Sequence, residues 1–281
     1  MTKKTFALLL VGALFWAASA RAQKLPTPVT VGAERMELLL PTLQGKRIVL
    51  MVNQSSLVGS TGTHLVDTLL SQGINIVRLF VPEHGLRGKV DAGKNVRSGV
   101  DEKTGLPVVS LYGQRKRPTP EMLADIDLLV FDLQDVGTRF YTYISSMHYL
   151  MEACAEEGKT FVVCDRPNPN DFIDGPILEP DCRSFIGVDP LPVAHGMTVG
   201  ELALMIDGER WLRGGNTCHV KVIPMAGWSH GDPYELPVRP SPNLPNSRSI
   251  ELYPSLCFFE ATIMSVGRGT SKPFQAIGYP D

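Results

Sequence analysis

Five runs rich in Val, Ile, Leu and Phe recur along the chain: Arg47 to Asn53, Ile76 to Pro82, Pro107 to Tyr112, Asp127 to Asp132 and Thr160 to Asp165. Each has the length of a strand, and their nearly unbroken apolar character suits strands covered on both faces. Between them the spacing of apolar residues becomes helical. Thr63 to Gln72 places Leu65, Leu69 and Leu70 on one side, with Thr63 as N-cap and Gly73 as stop. Tyr143 to Glu157 carries the stripe Ile144, Met147, Leu150, Met151 and Cys154 ahead of Gly158. Strand alternating with helix implies parallel pairing through right-handed crossovers. The expected fold class is therefore α/β, a Rossmann-like doubly wound parallel sheet over residues 23–185.

After Asp165 the texture changes, with frequent Pro and Gly, one helix over Thr198 to Trp211 and a strand over Cys218 to Pro224. This reads as a second, smaller α+β lobe over residues 186–281, incomplete because the sequence reaches Asp281 without a closing helix or strand. At the other end, Lys3 and Lys4 precede an apolar run from Phe6 to Ala18 and then Ala20-Arg21-Ala22. That layout predicts a cleavable signal peptide over residues 1–22 and an exported protein, periplasmic or extracellular, starting near Gln23. The run is shorter than the roughly 20 residues that cross a bilayer, so no membrane span is expected.

A formal net charge of -2 without a basic block argues against nucleic acid as partner. The five cysteines are scattered and odd in number, which suits buried thiols with at most one bridge. The loop Gly59-Ser60-Thr61-Gly62-Thr63 is not G-x-G-x-x-G and no Walker lysine follows it, so it reads as a helix entry and no cofactor is expected.

Ligands of an open parallel sheet bind beyond the carboxyl ends of its strands. Here those ends are Asn53-Gln54-Ser55, Pro82-Glu83-His84-Gly85, Asp132-Leu133-Gln134-Asp135 and Asp165-Arg166-Pro167-Asn168-Pro169. Two carboxyl groups across a gap fit hydrolysis of a glycosidic bond. Glu83 is the first candidate, with His84 orienting it or touching substrate, and Asp135 or Asp165 as its partner. Asp132 reads as a cap for backbone N–H groups. Arg139, Arg166 and Arg268 would grip an anionic substrate, and Tyr141 and Tyr143 offer faces for a sugar ring. Two other readings stay open: a protein that binds without catalysis, and a metal-dependent hydrolase using Glu83, His84, Asp132 and Asp135. The lack of a His-rich set at ligand spacing makes no metal the preferred expectation.

Six ordered motifs, VPEHGLRG (Val81 to Gly88), FDLQDVGTRFYTYISSM (Phe131 to Met147), DRPNP (Asp165 to Pro169), HGMTVGELA (His195 to Ala203), PSPNLPN (Pro240 to Asn246) and GRGTSKPFQ (Gly267 to Gln275), resemble the exo-acting β-N-acetylmuramidases of bacterial peptidoglycan turnover. The resemblance implies a Rossmann-like domain joined to a C-terminal lobe, with a cofactor-free cleft between them that releases N-acetylmuramic acid from the non-reducing end of muropeptides. It places the glutamate of the EHG motif on Glu83 and puts Arg87, Gln134, Asp165, Arg166 and Asn168 beside the cleft. Asn53 is expected beside them at its strand end, and the second lobe would add Asn243, Glu260 and Arg268. The chain departs from the family pattern where relatives read EGT and SEGRGT: it has Glu260-Ala261-Thr262 and Ser265-Val266-Gly267-Arg268.

Overall fold

The computed structural model describes residues 28–59, 61–86 and 98–279; the expected leader and Arg87 fall outside them. Helix α1 (Met36–Leu43) leads into strand β1 (Arg47–Val52), then a small hairpin of β2 (Leu57–Val58) and β3 (Thr63–His64), helix α2 (Leu65–Ser71) and β4 (Asn75–Val81). Next come β5 (Gly99–Val100), β6 (Pro107–Ser110), β7 (Leu128–Asp132), α3 (Tyr143–Glu156) and β8 (Thr160–Cys164). A second hairpin, β9 (Ile173–Asp174) with β10 (Ala194–His195), precedes α4 (Val199–Gly208), β11 (His219–Ile223) and α5 (Ser247–Leu256).

The main sheet runs β11-β8-β7-β1-β4-β6-β5, parallel except for the β5 edge. Counting its parallel strands in chain order gives the 3-2-1-4-5-6 arrangement of doubly wound sheets, with the switch point between β1 and β7. Alternate residues of each strand feed two apolar layers. Ile48, Leu50 and Val52 pack with Leu39, Leu43, Leu65 and Leu69 from α1 and α2. Val49 and Met51 belong to the opposite layer, with Met147, Leu150 and Met151 of α3 and Leu202 and Ile206 of α4.

The boundary expected between residues 185 and 186 does not divide the sheet. β11 pairs with β8 from His219↔Thr160 to Ile223↔Cys164, so α4 and β11 complete the parallel domain. The long Pro- and Gly-rich excursion through β9 and β10 hides that crossover in the sequence. The helix entry also differs from expectation. Thr63 pairs with Val58 in the small hairpin, and His64 caps α2 by accepting from the Val66 N–H at 3.3 Å. α4 starts as a capping box, with Thr198 Oγ1 accepting from Glu201 N–H and the Glu201 carboxylate accepting from Thr198 N–H. All five cysteines are free thiols, so the bridge that the sequence allowed is absent.

On α3, the buried His148 lies 2.8 Å from Asp189 and 3.4 Å from Glu152. Burial pulls its pKa down, but the neighbouring carboxylates of Asp189 and Glu152 outweigh burial and raise it to about 9. The folded state thus holds this proton more tightly than the unfolded chain does. Its contribution to stability is complete below the ordinary value of 6.5 and is lost as pH rises towards about 9. Unfolding free energy measured across that window is expected to fall by on the order of 2 to 3 kcal/mol. In His148→Gln the profile over the same window becomes flatter.

Candidate active site

Strand β4 ends in the turn Pro82-Glu83-His84-Gly85, closed by the Gly85 N–H donating to the Pro82 carbonyl at 3.1 Å. The turn requires a left-handed residue, and His84 supplies it with φ 72 despite carrying a Cβ. The effect is to stand Glu83 upright at the end of the sheet. Its Oε1 accepts from Tyr112 Oη at 2.7 Å and its Oε2 from Thr142 Oγ1 at 3.0 Å. Both donors are hydroxyls, and each can also accept from a protonated carboxyl.

Glu83 and His84 open onto a cleft of about 480 Å³, within the usual range for small-molecule sites. Another wall comes from α5 and the residues after it. Tyr253, Cys257, Phe258, Glu260 and Arg268 line it. Glu260 accepts from Arg268 Nη1 at 2.6 Å and from Cys257 Sγ at 3.3 Å. A third wall is the loop bearing Leu178, Cys182, Ser184, Ile186 and Gly187. Arg139 lines the cleft as well, and its Nη1 donates to the carbonyls of Pro176 and Leu191. Partial burial draws its pKa down, and only the Cys182 thiol opposes that shift. A guanidinium placed in this way suits an incoming carboxylate.

The crevice at the β1/β7 switch point is filled by the chain itself. Gln54 Nε2 donates to the carbonyls of Arg239 and Pro240. The hydroxyls of Tyr141 and Tyr143 donate to the same Pro240 carbonyl, at 2.8 and 3.3 Å. The Pro-rich segment from Arg239 therefore sits where a dinucleotide would lie in a related sheet, and the open cleft is displaced towards the ends of β4 and β6.

This plug decides the fate of the expected site residues. Glu83, His84, Arg139, Tyr141, Asn243, Glu260 and Arg268 line one cleft. Asp135, Asp165, Asn53, Gln134, Tyr143, Arg166 and Asn168 do not line it; they are buried beneath or beside it. Asp165 accepts from the backbone N–H groups of Arg166 and Gly200 and from Thr198 Oγ1, anchoring the start of α4. Burial raises its pKa against those same hydrogen bonds. Asp135 accepts from Gly137 N–H at 2.7 Å and meets His195 Nε2 at 3.1 Å. Asp132, expected as a backbone cap, instead takes a two-point grip from Arg166, with Nε–Oδ1 at 2.7 Å and Nη2–Oδ2 at 2.9 Å. That pairing removes Arg166 from the substrate clamp.

Asn53 Oδ1 accepts from the N–H and hydroxyl of Ser55, and Gln134 Nε2 donates to the carbonyls of Asp135 and Pro167. Asn168 ties the β8 exit to the carbonyl of Met197, packed so tightly against Gly137 that a Cβ there would lie 2.2 Å from its Oδ1. Among the described residues no His, Cys, Asp and Glu side chains converge as a metal-ligating group. The set of Glu83, His84, Asp132 and Asp135 is dispersed because each aspartate already serves another partner.

Sequence reasoning missed Tyr112, Thr142, Phe140 and Tyr253 as cleft residues. Tyr112 was detectable, since it ends the strand-like run beside that of Glu83.

Comparison with known proteins matches two family models, described as "Exo-beta-N-acetylmuramidase NamZ, N-terminal" over residues 48–248 and "Exo-beta-N-acetylmuramidase NamZ, C-terminal" over residues 251–281. A curated relative, the peptidoglycan beta-N-acetylmuramidase NamZ of Bacillus subtilis (strain 168), is 44% identical over 295 residues, covering 99% of this chain and 70% of the relative. Crystal structures of two DUF1343 family proteins from Bacteroides fragilis NCTC 9343 superpose closely. The first has a TM-score of 0.82 at 46% identity, covering 90% of this chain and 67% of its own. The second has a TM-score of 0.80 at 39% identity, covering 89% of this chain and 65% of its own. The chain thus spans about two thirds of the length of those solved relatives.

Proposed function

Since this chain belongs to the exo-beta-N-acetylmuramidase NamZ family, we propose that it is a glycoside hydrolase that removes N-acetylmuramic acid from the non-reducing end of peptidoglycan fragments, with Glu83 as proton donor. The observation that carries this reading is that Glu83 and Glu260 line one cleft that also holds Arg139. Glycosidic cleavage needs one carboxyl to protonate the leaving oxygen and a second group to stabilise or attack the developing cation.

The environments divide those tasks. Glu260 is ion-paired with Arg268 at 2.6 Å, so its negative charge is matched and directed. Glu83 accepts from two hydroxyls, at 2.7 and 3.0 Å, partners that suit a carboxyl in either protonation state. Proton delivery therefore falls to Glu83, and Glu260 takes the place first given to Asp135 or Asp165. Tyr141 and Asn243 line the same cleft. The lactyl carboxylate of muramic acid meets Arg139, and the leader over residues 1–22 directs the chain to the wall compartment where that sugar occurs.

The full-length protein incubated with defined muropeptides tests the reading. Free N-acetylmuramic acid and a fragment shortened by one sugar are the expected products. Binding without any product, or cleavage at internal positions, would overturn it.

A further inference from the structure

The two central neighbours of the reacting carboxyl are set by different parts of the fold. Thr142 immediately precedes α3, and its hydroxyl reaches Glu83 Oε2 at 3.0 Å. Tyr112 arrives through sheet register. β4 and β6 pair as Leu79↔Val108, Phe80↔Val109 and Val81↔Ser110, and the Leu111 N–H extends the ladder by donating to the Val81 carbonyl at 3.0 Å. Two residues beyond Val81 and two beyond Ser110 lie Glu83 and Tyr112. Parallel pairing alone thus brings this carboxyl and this phenol side by side, and the 2.7 Å hydrogen bond is the outcome.

The phenol ring also packs against a second aromatic ring, that of Phe185. Residues 179–186 form an outer wall in which every side chain is exposed except Phe185. Phe185 stacks on Tyr149 of α3, with centroids 6.0 Å apart and planes at 3°, and lies 6.1 Å from the Tyr112 ring. Lys116 Nζ sits 4.5 Å above it, a favourable cation–π position. The loop is stiff. Ser184 and Gly187 exchange backbone hydrogen bonds at 2.9 and 3.0 Å, and Arg183 Nε donates to the Val188 carbonyl at 2.7 Å. Its other side chains, Cys182, Ser184 and Ile186, face the cleft.

We propose that Tyr112 is a positioning residue for Glu83, and that Phe185 on the cleft wall holds Tyr112 in place, so that the wall touching substrate and the carboxyl acting on it form one mechanical unit. This rests on the role given to Glu83 above. A hydrogen bond that fixes the orientation of a reacting carboxyl changes rate when it is removed, because misplacing a catalytic group is costly. It does so through geometry rather than affinity, so the loss falls on kcat.

The test is steady-state kinetics of the full-length protein on a chromogenic N-acetylmuramide, with melting curves to confirm folding. Tyr112→Phe is expected to lower kcat by about 10- to 100-fold with KM little changed. Phe185→Ala should lower kcat in the same direction, Phe185→Tyr should restore it, and Phe185→Ala should add nothing in the Tyr112→Phe background, because both act through one hydrogen bond. Additive effects of the two substitutions, or a raised KM with unchanged kcat, would overturn the proposal. Glu83→Gln measured alongside separates the two readings. If it is inactive while Tyr112→Phe turns over like the parent, the positioning role alone fails; if it remains fully active, the role of Glu83 fails first.

Discussion

Glu83→Gln is expected to lose about 10²- to 10⁴-fold in kcat on an N-acetylmuramide substrate, the range that general acid catalysis contributes, while melting at the temperature of the parent. The amide keeps the size of the carboxyl, and its oxygen and nitrogen can still engage the Tyr112 and Thr142 hydroxyls. Only the transferable proton is lost. The comparison is therefore clean: a folded, substrate-binding and inert variant is the predicted result, and retained turnover would remove Glu83 from the chemistry.

A second large effect is expected on stability. Arg166→Met strips the partner from Asp132, whose side chain is 0% exposed and whose two oxygens receive the guanidinium. Leaving a buried carboxylate unpaired costs about 3 to 5 kcal/mol, and chemical denaturation should show a loss of that order. Adding Asp132→Leu should recover much of it, because an apolar pair of similar volume removes the uncompensated charge. If Arg166 were instead a substrate clamp, Arg166→Met would raise KM and leave the denaturation midpoint in place. Arg139, which lines the cleft, is the residue on which such a KM effect belongs.

The fold was readable because strands buried on both faces are long apolar runs, and each of the five that the sequence marked lies within two residues of an observed strand. β11 was assigned to the wrong unit for a physical reason. Its crossover carries the β9–β10 excursion, whose prolines and glycines look like a linker although the chain returns to the same sheet edge. The site was only half readable. A rule that sends ligands to strand ends selected Glu83, which lines the cleft, and it selected Asp135 and Asp165, which do not, on the same ground. It does not reveal that the Pro240 carbonyl takes the Tyr141 and Tyr143 hydroxyls and closes the switch point. Once that space is occupied, carboxylates at the β7 and β8 ends have only backbone and side-chain partners of their own to serve. Glu260 reaches the cleft from a segment far along the chain, which strand periodicity cannot locate. Only the family resemblance brought it in, as a contribution of the second lobe.

In the proposed reaction the glycosidic oxygen of a muramic acid unit lies against Glu83. A crystal structure of the inert Glu83→Gln protein soaked with a muramic acid-terminated disaccharide measures this directly. That oxygen is expected within hydrogen-bonding distance of residue 83, with the lactyl carboxylate on Arg139 and Glu260 on the other side of the sugar. A disaccharide seated with its glycosidic bond away from residue 83 would contradict it.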